Sequence, residues 1–136
     1  MAAAVRDVMA PVRVRVEPTD TLRTAAVALR DGATGLAVVE LGGRQCVFTE
    51  RDLLRAIGAG IDVDAESVSD HMSTSPLAVQ AAATVQSACD VMIERNARHL
   101  LVFEGDELAG VLNMRDVVGV LSGAAEMGEV PPAKGS

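Results

Sequence analysis

Two short stretches carry residue types that could hold a ligand. Phe48 to Ala56 reads FTERDLLRA, and Leu112 to Val120 reads LNMRDVVGV. Each closes an apolar run, turns a polar corner and sets an aspartate three residues after a side chain able to cap a helix. The pairs are Thr49 with Asp52 and Asn113 with Asp116. Three residues apart at a helix start, two side chains share a face. One reading is structural. The Thr49 hydroxyl takes a backbone N–H, and Asp52 complements the positive end of the helix dipole. The other uses the same donor-rich corner for binding, with a fixed carboxylate holding a ligand. The two are compatible, because Thr49 can cap while Asp52 faces a cleft.

Catalysis finds little support. Asp52, Asp116 and His99 are the candidates for an enzyme, but no nucleophile sits in a recognisable elbow and no phosphate loop is present. His71 and His99 occur singly, and Cys46 and Cys89 have no metal-type spacing. Both cysteines fall in apolar patterns and read as buried free thiols, so no metal is expected. The net charge is −7 and aromatics make up 1%, Phe48 and Phe103 alone. Nucleic acid needs clustered cations, and single strands want aromatic platforms. Both are missing. A small anion remains open to an acidic protein, given a local basic pocket. No apolar run is long enough to span a bilayer, and the start has no secretory signal pattern. A cytoplasmic location without membrane contact is expected.

The elements that position these residues come from a repeat. VRDVM, ending at Met9, returns as VSDHM, ending at Met72, an offset of 63 (72 − 9). TLRTAA at Thr21 returns as TVQSAC at Thr84 with the same offset. LAVVE at Leu36 aligns with LLVFE at Leu100, and FTERD with LNMRD, at 64 (100 − 36). This alignment puts one inserted residue in the second copy, in the loop between RDGATG and ERNARH. Each copy reads as a strand (Val12 to Val16; Leu77 to Gln80), then a helix (Leu22 to Arg30; Val85 to Arg95) capped by Thr21 or Thr84. Leu22, Ala25, Ala26 and Leu29, like Val85, Ala88, Cys89 and Met92, recur at helical spacing. A hairpin follows (Leu36 to Val39 with Gln45 to Phe48; Leu100 to Phe103 with Leu108 to Leu112), turning at Gly42-Gly43 and Gly105-Asp106. A second helix ends each unit (Glu50 to Ile57; Met114 to Leu121).

The expected fold is therefore α+β: two β-α-β-β-α motifs packed with pseudo-two-fold symmetry, since half of such a unit cannot cover its own sheet. The domains are read as motif 1 at 5–58, a polar linker at 59–67, motif 2 at 68–122 and a disordered tail at 123–136.

A tandem repeat of this kind, with VxDxM opening each copy and TERDLL or NMRDVV closing it, resembles a pair of CBS domains, a Bateman module. The resemblance covers about residues 5 to 122. It implies a stand-alone regulatory module that does no chemistry and binds an adenosine-containing ligand in clefts between the motifs. AMP, ADP, ATP and S-adenosylmethionine are the candidates, none of them a required cofactor. Sensing of cellular energy, homodimerisation into a disc of four motifs and control of an unidentified partner protein follow from the same resemblance. It assigns ribose contacts to Thr49 with Asp52 and to Asn113 with Asp116. The segments at Gly35-Leu36 and Arg98-His99 would pass the base with their backbone, and Arg98 would reach phosphate, its planar fork suiting that group. His99 adds a group that titrates near neutral pH. Arg51 and Arg115 read as exposed helix residues. The chain departs from the pattern at Asn113, where Thr or Ser is usual, at Cys46, where the second copy has Gly110, and at Ala37 and Leu101, where proline is common. The rival reading is a dimerisation scaffold without nucleotide, built on the apolar helices LLRAI and VVGVL.

Overall fold

Thr21 and Thr84 do what their positions predict. Each hydroxyl accepts a backbone N–H three residues on, from Thr24 and Ser87, and so opens a helix. The computed structural model describes residues 3–122 and holds two copies of one unit. The first comprises β1 (Arg15–Val16), α1 (Leu22–Gly32), β2 (Leu36–Leu41), β3 (Arg44–Thr49) and α2 (Glu50–Gly58). The second comprises β4 (Ala78–Gln80), α3 (Val85–Arg95), β5 (His99–Glu104), β6 (Glu107–Asn113) and α4 (Met114–Ser122). A single 3-10 turn precedes each copy, at Val5–Asp7 and Val68–Asp70. The predicted tail at 123–136 lies outside the described residues.

Each copy makes a three-stranded sheet, ordered β1-β2-β3 and β4-β5-β6, with a parallel and an antiparallel pair. Gly42 and Gly43 both take positive φ, 57° and 80°, as the tight hairpin turn requires. One face of each sheet packs on its own two helices. Ala37, Val39 and Phe48 meet Leu22 and Leu29 in one core, while Leu100, Val102 and Leu112 meet Val85 and Met92 in the other. The opposite faces meet through Leu36, Val38, Val47 and Leu101. Helices therefore lie outside and sheets inside, and the α+β architecture is as expected.

The opening turns are exchanged. Val5 is buried in the core of the second copy, and Val68 in that of the first. The Val5 N–H donates to the Ala83 carbonyl at 2.8 Å, and Val68 makes the equivalent bond to Asp20 at 2.8 Å. Ala10 then pairs with Val111 of β6, and Ser73 with Val47 of β3. The chain must cross from one sheet to the other before joining its own. That is why the strand expected over Val12 to Val16 shrinks to Arg15–Val16. The segment expected as a linker also has a fixed job. The Glu66 and Val63 carbonyls accept the first N–H groups of α1, from Leu22 and Arg23.

The inserted residue is not where the sequence alignment put it. Arg15 pairs with Val38 and Ala78 with Leu101, so β2 and β5 keep the offset of 63 (101 − 38). The register slips inside β6 instead, where Phe103 faces Leu108 but Val102 faces Gly110. Ala109 is the extra residue of a β-bulge. Gly35-Leu36 and Arg98-His99 are thus true counterparts, and Ala37 corresponds to Leu100 rather than Leu101. Of the two cysteines, Cys46 is buried as expected, but Cys89 is only half-buried, at the edge of its core.

Candidate functional site

The site grows from the seam where β2 and β5 begin. The N–H of Glu50, first residue of α2, donates to the Gly35 carbonyl at 3.0 Å. The N–H of Met114, first residue of α4, donates to the Arg98 carbonyl at 2.8 Å. Each helix N-terminus is thereby tied to the residue before its hairpin, with the remaining N–H groups left at an electropositive corner.

Two open clefts flank this seam. One has a volume of about 450 Å³ and includes Asn113, Asp116, Arg13 and Arg115 in its wall. The other, of about 480 Å³, includes Thr49, Arg51, Ser73 and Ser75. Gly35, Leu36, Glu50, Arg98 and His99 line both. The clefts are pseudo-symmetry mates, since Asn113 corresponds to Thr49, Arg115 to Arg51 and Arg13 to Pro76 across the repeat.

Seven of the eight expected ligand residues line one or both of the clefts, and Thr49 does so while capping α2. Asp52 does not. It is absent from the lining of either cleft, because its carboxylate is consumed locally. Asp52 Oδ2 accepts the Thr49 N–H at 2.9 Å and the Thr49 hydroxyl at 3.1 Å, while the Asp52 N–H donates to Thr49 Oγ1 at 3.3 Å. This is a complete capping box. Arg55 lies 3.7 Å from the other carboxylate oxygen. The cap reading, not the cleft-facing one, describes Asp52.

The second corner is built differently. The Asp116 N–H donates to Asn113 Oδ1 at 3.0 Å, so Asn113 caps α4. Asp116 Oδ2 is buried and has no hydrogen-bond partner. An orphaned buried carboxylate oxygen is costly, and here it belongs to a residue that lines a cleft.

Charge around the Asp116 cleft is mixed. Arg13, Arg98 and Arg115 supply three guanidinium groups against the carboxylates of Glu50 and Asp116. Burial holds the His99 imidazole below its ordinary pKa of 6.5, and Arg98 and Arg51 push the same way while Glu50 opposes them. His99 is therefore neutral at pH 7. Gly35 keeps the seam open, since a Cβ there would lie 3.3 Å from the Glu50 carboxyl and 3.6 Å from His99 Cε1.

Arg13, Glu50, Ser73 and Ser75 went unmarked in the sequence. Their signal was the repeat itself. Arg13 and Ser75 sit in the crossing segments just after the exchanged turns, and only the exchange carries them to a cleft. Among the described residues no cluster of three or more His, Cys, Asp or Glu could hold a metal ion, and no helix is long and apolar enough to cross a membrane.

Comparison with known proteins agrees with this geometry. Residues 5–59 and 68–123 each match the family model for the CBS domain. Arabinose 5-phosphate isomerase KdsD of Yersinia pestis is 30% identical over 105 residues, which cover 76% of this chain but 32% of the isomerase. The chain thus spans about a third of that relative's length. The CBS domain protein PAE2072 from Pyrobaculum aerophilum, solved in complex with AMP, superposes with a TM-score of 0.74 at 30% identity, covering 83% of this chain and 88% of that one. The CBS-domain containing protein ATU1752 from Agrobacterium tumefaciens gives 0.79 at 30% identity, covering 89% and 95%.

Proposed function

This chain belongs to the CBS domain family, and on that premise we propose that it is a regulatory, ligand-sensing module. It binds an adenosine-containing ligand, AMP, ADP, ATP or S-adenosylmethionine, at the seam between its two motifs, and performs no chemistry itself. The observation that carries this reading is the buried, unpartnered Oδ2 of Asp116, a residue that lines a cleft with three guanidinium groups. A ribose offers the two hydroxyl donors that such an oxygen lacks, and a phosphate offers the anion that Arg98, Arg13 and Arg115 lack. Similarity to PAE2072, which was solved with AMP, supports the same ligand class. In this reading Gly35, Leu36 and His99 bound the base, Asn113 and Thr49 present polar caps to their clefts, and the occupied module modulates a cytoplasmic partner protein.

The test is a thermal-shift series with AMP, ADP, ATP, NAD and S-adenosylmethionine. A ligand that binds only the folded chain adds about 2.7 kcal/mol at a hundredfold excess over its Kd. Asp116→Ala should abolish that shift and leave the unliganded chain folded. If Asp116→Ala keeps full affinity, the ribose assignment is wrong.

A second reading rests on its own observation. Leu54 and Ile57 on α2 are 68% and 55% exposed, and their repeat counterparts Val118 and Leu121 on α4 are 54% and 50% exposed. Two matched apolar rows suit a homodimer, and a dimerisation scaffold would need no nucleotide. Light scattering on the wild type and on Leu54→Asp/Val118→Asp checks the dimer. A dimer with no response to any of the five ligands would favour the scaffold.

A further inference from the structure

We infer that Glu50 is the specificity-determining residue of the seam: its carboxylate admits adenosine ligands of low or mixed charge and turns away polyphosphates. This inference rests on the adenosine reading above and names the ligand class within it.

The residues at the seam change charge across the repeat. Glu50 opens α2 and Met114 opens α4, and their N–H groups bond the carbonyls of Gly35 and Arg98. The first copy therefore sets an anion where the second has a thioether, and the second sets a cation where the first has glycine. Both charges reach both clefts, since Glu50 and Arg98 line each of them. Gly35 leaves room for the acid, whose carboxyl carbon would lie 3.3 Å from a Cβ at that position. The helix does not require Glu50. Asp52 already supplies an acid to the first turn of α2, and α4 opens on a neutral residue.

Among the described residues Glu50 joins no ion pair within 4.0 Å. Its field reaches His99, where it opposes the lowering caused by burial, Arg98 and Arg51. With His99 neutral, Arg13, Arg98 and Arg115 face Glu50 and Asp116 in one cleft, while Arg51 and Arg98 face Glu50 in the other. Either wall is left with one positive charge in excess. A monophosphate brings about two negative charges at neutral pH, and each further phosphate adds more. So small an excess suits AMP, or a ligand such as S-adenosylmethionine that carries both signs. The added phosphates of ATP exceed it and meet the field of the Glu50 carboxylate.

The experiment is isothermal titration of the full chain with AMP, ATP and S-adenosylmethionine. The unaltered chain should bind AMP more tightly than ATP. Glu50→Gln should raise the ratio of ATP to AMP affinity about tenfold, roughly threefold for each charge that separates the two nucleotides. The same variant should bind S-adenosylmethionine, with its cationic groups, more weakly than the unaltered chain does. Glu50→Asp keeps the charge and should keep the original order. Glu50→Met copies the residue that opens α4, and replaces Glu50→Gln if circular dichroism shows that variant unfolded. A ratio left unchanged when the charge is removed overturns the inference, as does an unaltered chain that prefers ATP. No binding of any of the three overturns the adenosine reading itself, a result distinct from binding without charge selection.

Discussion

At Thr49 and Asp52 one residue pair serves the helix, and at Asn113 and Asp116 the matching pair leaves an oxygen free. The difference makes a prediction at the residue scale. Thr49→Ala removes the hydroxyl arm of the capping box, leaves the backbone N–H bond to Asp52, and should lower stability by about 1 kcal/mol, measurable by urea unfolding. His99 supplies another. Its folded pKa lies below the ordinary 6.5. As pH falls below about 6.5 the unfolded chain takes up a proton before the folded chain does, so stability is full above that pH and declines towards the folded pKa. His99→Gln should therefore lose less stability than wild type between pH 7.5 and 5.5, roughly the range where an unperturbed imidazole titrates. Identical slopes in urea melts would show that burial of His99 does not shift it. The motif and the candidate Asp residues were legible from the sequence. Which Asp was free was not, because hydroxyl and amide caps differ only in the bonds they return.

At the scale of elements, caps and periodicity located all four long helices, and the turns Gly42-Gly43 and Gly105-Asp106 located the hairpins. The bulge in β6 escaped, since ELAGVLN alternates no less well when one residue is skipped. Its consequence is Gly110. A Cβ there would lie 2.6 Å from the Ala10 carbonyl oxygen, which bonds the Val111 N–H at 2.9 Å. Gly110→Ala should push that crossing strand away and destabilise the chain by about 1–3 kcal/mol, as overpacking does. Unchanged stability in chemical denaturation would mean that the Ala10–Val111 pairing gives way freely. In the first copy Cys46 holds the equivalent place within the core, so its departure from glycine is absorbed by packing rather than by the cleft.

For the whole molecule, the exchange of opening turns decides cooperativity. Val5 completes the core of the second copy and Val68 that of the first, each fully buried. Val5→Ala and Val68→Ala should each cost roughly 2 kcal/mol, the transfer of two methyl-sized groups plus a residual cavity. Both variants should still unfold in one transition. A fragment ending before Val68 lacks its own core plug and should show no cooperative melt by circular dichroism. A folded, cooperatively melting fragment would show that the copies are independent. The same exchange brings Arg13 and Ser75 to the clefts, so binding and folding depend on one crossing.

The sequence by itself determined the repeat, the α+β class, the capped corners and the seam residues. Those follow from short-range rules: helical spacing, hydroxyl caps and glycine turns act within a few residues. Only the tertiary structure decided which copy each opening turn completes, where the extra residue sits and which carboxylate remains unpartnered. The exchange depends on pairings between residues far apart in the chain, such as Ala10 with Val111. Local preference is the same for either partner, and the choice is made by burying Val5 and Val68 in cores that lie on the far side of the seam.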